Sequence, residues 1–314
     1  MEKNAIINKT QAVLQEVGKA VVGKDEVLLW TFAAILSGGH ILLEDIPGVG
    51  KTTMALAFSK ALGLGYNRVQ FNPDVLPSDV TGYSVPDASG AMTYRKGAVM
   101  CNLFLADELN RATSRTQSAL LEAMEEKQVT VDGVSHRLPK PFIVLATQNP
   151  TGAAGTQLLP DSQMDRFTLR LSLGYPDPKD EAKMAKERQG KNPMQEINQV
   201  LTPEELAQLQ QQVADTYVSD LVIDYVVALV NKTRCDSRLL QGASPRATLA
   251  VLAVAKAVAQ LRGRHYVLPR DVQEVFVSAV AHRLILNHTA KNQGDSAKTI
   301  LEDILKTVPA PKLK

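Results

Sequence analysis

"GHILLEDIPGVGKTTMALAFSKAL", residues Gly39 to Leu62, is the stretch on which the fold of this chain turns. "HILLE" (His40–Glu44) has the composition of a strand, and "TMALAFSKAL" carries apolar residues at helical spacing. Between them lies "PGVGKTT" (Pro47–Thr53). A phosphate needs inward-turned backbone N–H groups, a helix N-terminus aimed at it and no side chains in the way. Gly48 and Gly50 supply that open backbone, and Pro47, Val49 and Thr53 complete the loop. Lys51 is placed to reach β- and γ-phosphates, and the Thr52 hydroxyl to hold Mg2+. A plain helix start with a chance lysine is the competing reading, but it sets a cation at the positive end of the helix dipole for no gain. One residue departs from the pattern: G-x-x-x-x-G-K-[ST] wants a glycine where this chain has Asp45. Asp45 lies before the bend, where the chain can still be extended, and the phosphate-site reading stands.

Working outward, the 314 residues suggest two domains at about 150 residues each. Apolar content of 45% and charged content of 22% are those of an ordinary globular protein. A net charge of +2 gives no bulk electrostatic case for nucleic acid or an anionic membrane. Cys101 and Cys235 make neither a disulfide framework nor a metal site, and the five histidines are scattered. The N-terminus lacks the basic and apolar regions of a signal peptide. The longest apolar run, Val27 to Leu36, is about half a membrane span. Together these lead to the expectation of a cytoplasmic protein without stable membrane insertion.

Through about residue 175, short apolar runs alternate with helical patterns, as in a parallel α/β sheet. Strands are expected at His40–Glu44, Tyr66–Phe71, Asn102–Asp107, Phe142–Thr147 and Arg166–Leu173. The second and fifth alternate, as edge strands do; the others are nearly continuous and belong in the centre. "LPSDVTGYSVPDASGAMTYRKG" (Leu76–Gly97) reads as a helix broken by a hairpin. "QVTVDGVSHRL" (Gln128–Leu138) reads as a second hairpin about Asp132-Gly133. "GYPDPKD" (Gly174–Asp180) marks the boundary, giving an α/β domain over 1–175 and a helical one over 176–314, where strand signals vanish.

Other candidates gather at strand ends. "NLFLADELNRA" (Asn102–Ala112) is an apolar strand closing on Asp107-Glu108, about 55 residues after the loop. Phosphoryl transfer to water needs a held Mg2+ and a group to polarise the nucleophile. Asp107 suits the first task, through the metal's water, and Glu108 the second. Successive strand residues face opposite ways, so the chain must turn at the strand end for both to serve. "FIVLATQNP" ends on Gln148-Asn149, an amide that can bond a phosphate and a water, although Asn-Pro is also a common turn. Arg166 precedes the last strand in "LPDSQMDRF" (Leu159–Phe167). Arg246, in "SPRA" (Ser244–Ala247), sits in a first helical turn behind an N-cap serine, a mildly unfavourable place for a cation that suggests an anionic partner. Arg111 and Arg115 are rivals.

In this order and spacing "LLEDIPGVGKT", "RVQFNPDVLPSDVTG", "LFLADELNRA", "ATQNP", "LPDSQMDRF" and "SPRA" resemble a MoxR-type AAA+ ATPase over nearly the whole chain. Members of that family commonly carry an acidic or variable residue at the position of Asp45. The resemblance implies an AAA+ P-loop NTPase core with a parallel sheet, followed by an all-α lid domain, and ATP with Mg2+ bound between the two. It implies Lys51 and Thr52 as Walker A residues, Asp107 and Glu108 as Walker B, Asn149 as sensor 1, Arg166 as a trans arginine finger and Arg246 as sensor 2. "AVVGKDEV" (Ala20–Val27) resembles the segment beside adenine, with Val22 and Gly23 as contacts. Residues 76–97 and 128–138 correspond to the helix-2 insert and the presensor hairpin. Also implied are a homo-oligomeric ring, a hexamer by expectation, and a chaperone-like role in metal insertion or complex maturation on a protein client. A separate partner bearing a von Willebrand factor A domain is part of the same expectation. A magnesium-chelatase-like motor subunit, a DNA-directed motor and a nucleotide-dependent scaffold with little hydrolysis are the rival readings. Near-neutral charge weighs against the second; Glu108, Asn149 and the two arginines weigh against the third.

Overall fold

A computed structural model describes residues 3–149, 159–187, 189–190 and 192–312; Pro150 of "ATQNP" lies outside them. Helix α1 (Lys3–Gly18) is followed by α2 (Asp25–Leu36), whose first turn carries Asp25 and Glu26 at the positive dipole end. Strand β1 (Ile41–Glu44) feeds the glycine loop and α3 (Lys51–Ala61); β2 (Tyr66–Gln70) follows. The Leu76–Gly97 segment holds α4 (Pro77–Thr81) and the antiparallel hairpin β3 (Gly82–Pro86) and β4 (Met92–Lys96). Then come β5 (Leu103–Asp107), α5 (Ser114–Glu126) and a second hairpin, β6 (Gln128–Val131) with β7 (Val134–Arg137). Asp132 and Gly133 take φ of 49° and 78°, the left-handed pair that a two-residue hairpin turn requires.

Strand β8 (Ile143–Gln148), helix α6 (Asp161–Met164) and β9 (Leu169–Leu171) close the sheet, whose order is β2-β5-β8-β1-β9, parallel throughout. The alternating strands are at the edges, and β5, β8 and β1 are central. Alternate residues of these three serve two apolar cores. Ile41, Leu43, Leu103, Leu105, Ile143 and Leu145 face α3, whereas Leu42, Phe104, Ala106, Val144 and Ala146 face α5 and the inserts. Burial on both faces explains why these strands read as continuous apolar runs.

Beyond β9 the chain is mostly helical: α7 (Pro178–Glu187), α8 (Pro203–Ala214), α9 (Asp220–Arg234), α10 (Pro245–Leu261), α11 (Pro269–Val280), α12 (His288–Asn292) and α13 (Ala297–Thr307). Thr202 and Glu205 form a reciprocal capping box on α8, and Ser244 caps α10 with Pro245 behind it, so both helices start where side chains satisfy their free N–H groups. A short antiparallel pair, β10 (Leu239–Gln241) with β11 (Ile285–Leu286), interrupts the helices where no strand was expected. Helix α10 packs on α8, α9 and α11, and also on α1 and α2 from the start of the chain. One apolar core thus runs from Val13 through the α3 face of the sheet to Ile304. No helix among the described residues is long and apolar enough to cross a membrane.

Candidate nucleotide site

The C-terminal ends of β1, β5 and β8 open on a cavity of about 330 Å³, at the point where the strand order reverses. Pro47, Gly48, Gly50, Lys51, Thr52 and Thr53 line one wall; Asp107, Glu108 and Asn149 line the other. Gly48 and Gly50 take φ of 87° and 100°, which bulkier residues rarely adopt, and nothing lies within 4 Å of where their Cβ atoms would stand. That open space beside a helix N-terminus suits a chain of phosphates. Val49 turns away and packs on the apolar core.

Lys51 is 7% exposed. Its ammonium donates to the carbonyls of Asp45 (2.7 Å) and Ile46 (3.2 Å) and to Asn149 Oδ1 (3.4 Å). Burial pulls its pKa below that of ordinary lysine, and the charges of Asp45, Asp107 and Glu108 partly offset this. Asn149 also faces Glu108, with Nδ2 3.5 Å from Oε1, so one amide spans the cation and the carboxylate.

The turn needed to bring Asp107 and Glu108 to one place is present: Glu108 has φ 55° and ψ 43°, a left-handed conformation unusual for a residue with a side chain. Thr147, fully buried on β8, braces it. Its hydroxyl accepts from the Glu108 N–H (2.8 Å) and donates to Asp107 Oδ1 (2.6 Å). Arg68 of β2 holds the other oxygen, with Nη2 at 2.7 Å and Nε at 3.2 Å from Asp107 Oδ2. Arg111 Nη1 donates to Glu108 Oε2 at 2.8 Å, while Arg115 is exposed on α5. Arg68 and Gln70 line the cavity too, and the sequence reading missed them. The alternation of "YNRVQF" was the available signal, because residues 68 and 70 share the face opposite the apolar Val69 and Phe71.

Arg166 and Arg246 stand elsewhere. Both border a second cavity of about 280 Å³ with Glu125, Asp165, His40 and Arg283. Glu125 meets both guanidiniums: Arg166 Nε lies 3.0 Å from one carboxylate oxygen without good hydrogen-bond alignment, and Arg246 Nη2 donates to the other. Asp165, next to Arg166 in the chain, bonds side chains of the helical half. It accepts from Ser244 Oγ (2.8 Å), two residues before Arg246, and from the buried Arg283 (Nε, 2.7 Å). His40 lies in the wall; its Nδ1 accepts from the Val144 N–H and its Nε2 faces the Met124 carbonyl. Burial lowers its pKa to about 4, and the nearby Lys127 charge adds to the shift.

Two sets of expected site residues stand apart from this cavity. The cavity at Lys51 is lined, among the described residues, by the α/β half alone, and Arg246 of the helical half is not part of its wall. Val22 and Gly23 do not line it either. Gly23, at φ 70°, lies against Asp180, and Lys24 Nζ donates to the Tyr175 carbonyl at 2.8 Å, which commits this segment to the chain leaving β9.

The sheet order, glycine loop and acidic strand end are those of a P-loop ATPase of the AAA+ class. Consistent with this, residues 40–169 match the family model described as "ATPase family associated with various cellular activities (AAA)", and residues 231–304 match the AAA lid domain. The chain is 42% identical to the uncharacterized protein YeaC of Bacillus subtilis, over 95% of its own length and 93% of that protein. It is 37% identical to chaperone MoxR1 of Mycobacterium tuberculosis, over 98% of this chain and 84% of that one. A solved structure from Cytophaga hutchinsonii, described there as a candidate ATPase, superposes with a TM-score of 0.91 at 37% identity, covering 99% and 97% of the two chains. This chain belongs to the MoxR-type AAA+ ATPases.

Proposed function

We propose that the Lys51 cavity binds Mg2+-ATP and that hydrolysis there drives a chaperone-like motor acting on a protein client. The observation that carries this reading is the convergence of Lys51, Asp107, Glu108 and Asn149 on one cavity beside an open glycine loop. Lys51 would exchange its carbonyl partners for β- and γ-phosphate oxygens. Thr52 and Asp107 would hold Mg2+, with Arg68 yielding one oxygen of Asp107, and the ion would supply positive charge to offset that of the phosphates. Glu108, turned into the cavity and flanked by Asn149, would orient the attacking water and draw its proton.

Arg166 and Arg246 line a different cavity from Lys51 on their own chain, and their pairing on one carboxylate leaves a net positive patch. Their task is to stabilise charge at a neighbouring subunit's γ-phosphate, an effect worth roughly 10³ in rate for arginines supplied in trans. Head-to-tail contacts of that kind close into a ring. A hexamer is the expected form. Two hairpins expose Tyr83, Met92 and Val134, and these supply apolar contacts for a client. The chaperone named among the relatives supports this direction. Metal insertion or complex maturation, assisted by a separate partner with a von Willebrand factor A domain, is the form of client work that the family suggests. ATP-dependent work of this kind belongs in the cytoplasm, where ATP is made available.

Mg2+-dependent ATP hydrolysis followed across protein concentration tests the reading. Specific activity should rise with concentration, and Glu108→Gln should bind ATP without turning it over. Activity independent of concentration, or an active Glu108→Gln variant, would overturn it.

A further inference from the structure

Asp45 is the residue of the opening stretch that breaks the phosphate-loop pattern, and the Lys51 cavity does not use its side chain. It is 6% exposed, and a buried carboxylate is tolerable only when its oxygens are satisfied. Here they are. Ser172 Oγ and the Gly174 N–H donate to Oδ1 at 2.9 and 3.1 Å, and the Leu173 N–H donates to Oδ2. Gly174 lies at φ 61°, a left-handed turn that lets consecutive amides meet one carboxylate. These three residues follow β9 and open the connection to α7, the entry to the helical half.

The backbone of Asp45 faces the other way. Its N–H donates to the Gln148 carbonyl at 3.2 Å, beside Asn149, and its carbonyl accepts from Lys51 Nζ at 2.7 Å. A single residue therefore touches the phosphate-seeking cation, the strand end that carries Asn149, and the connection to the helical half. The same connection is gripped further on by Lys24 at Tyr175 and by the close approach of Gly23 to Asp180.

We propose that Asp45 is a positioning residue that links the state of Lys51 to the Ser172–Gly174 connection, so that phosphate binding is felt where the helical half begins. Phosphate drawing Lys51 off the Asp45 carbonyl frees that carbonyl to tilt, and the carboxylate carries the tilt to the amides of Leu173 and Gly174. Glycine at this position satisfies the loop pattern and would still bind nucleotide, but it cuts the connection. This inference rests on the nucleotide reading of the Lys51 cavity.

The test combines Mg2+-ADP binding, steady-state ATP hydrolysis and amide hydrogen exchange of the 170–177 peptide, in wild type, Asp45→Gly, Asp45→Asn and Lys51→Ala. In wild type, Mg2+-ADP should change exchange at Leu173 and Gly174. Asp45→Gly should bind Mg2+-ADP within about threefold of wild type, lose that exchange response, and lose about tenfold in kcat with KM little moved. Asp45→Asn, which keeps an acceptor oxygen, should recover part of both, a graded rescue that a purely structural cap would not give in kcat. If Asp45→Gly does not fold, Asp45→Asn carries the same comparison against wild type. The proposal fails if nucleotide leaves exchange at 170–177 unchanged in wild type, if Asp45→Gly keeps the response, or if its defect is entirely in KM. Failure of the underlying site reading looks different: wild type then binds no Mg2+-ADP, or Lys51→Ala binds it as well as wild type does.

Discussion

Two charged cavities flank the sheet, and they are built on opposite plans. At the Lys51 cavity every charged group has a complement within the α/β half: Lys51 against carbonyls and Asn149, Asp107 against Arg68 and Thr147, Glu108 against Arg111. At the second cavity Arg166 and Arg246 share the single carboxylate of Glu125, and one of them comes from each half of the chain. The first is an internally balanced pocket beside an open glycine loop. The second carries a cationic surplus, with Arg166, Arg246 and Arg283 against Glu125 and Asp165. On the proposed reading, that difference would let one chain carry both parts of a hydrolytic site and leave a neighbouring subunit to join them.

The comparison can be broken most forcefully at Glu108. Glu108→Gln should lower kcat by roughly 10³ or more while ATP binding persists, since the carboxylate is needed in the transition state and not for binding. Arg166→Ala should cost about 10³ in kcat with nucleotide affinity unchanged, and equilibrium binding measured beside turnover separates the two effects. Asp165→Ala should destabilise the fold by about 4 kcal/mol in denaturant titration, because it strands Arg283, whose side chain is only 3% exposed.

His40 sharpens the contrast through pH. Its folded pKa of about 4 lies below the unfolded 6.5, so the unfolded chain takes up a proton first. The stability this neutral histidine contributes is complete above pH 6.5 and is lost as pH falls toward 4, about 3 kcal/mol over that window. Melting curves at intervals from pH 7 to pH 4.5 check the sign. The smallest effect is expected at Glu125, whose pairs with the two arginines are half-exposed and worth little. Glu125→Gln should raise turnover at low protein concentration by only about threefold, by releasing Arg166 and Arg246 from their shared carboxylate.

Much of this arrangement is legible in the sequence because local patterns report local burial. β5, β8 and β1 read as continuous apolar runs since both their faces are covered, and Tyr66–Gln70 reads as alternating since it is an edge. Asp132-Gly133 announces its hairpin through the φ values that those residues tolerate. The pair β10–β11 escaped notice because three-residue and two-residue strands are too short to show a period. Arg68 and Thr147 escaped for another reason: on a strand they read as ordinary β-compatible residues, and only the register of β2 and β8 against β5 brings them to Asp107. The position of Arg246 depends on how the helical half packs on the sheet, and that of Asp45 on a contact 128 residues away in sequence. Neither is written in a local pattern.

Subunit mixing tests the central claim most directly. Glu108→Gln and Arg166→Ala chains should each be inactive alone. A site in a mixed ring regains both groups whenever an Arg166→Ala subunit, with Glu108 intact, receives Arg166 from a Glu108→Gln neighbour. An equal mixture should therefore recover roughly a quarter of wild-type activity. A mixture as silent as its parts, from chains that still co-assemble, would contradict a site shared between subunits.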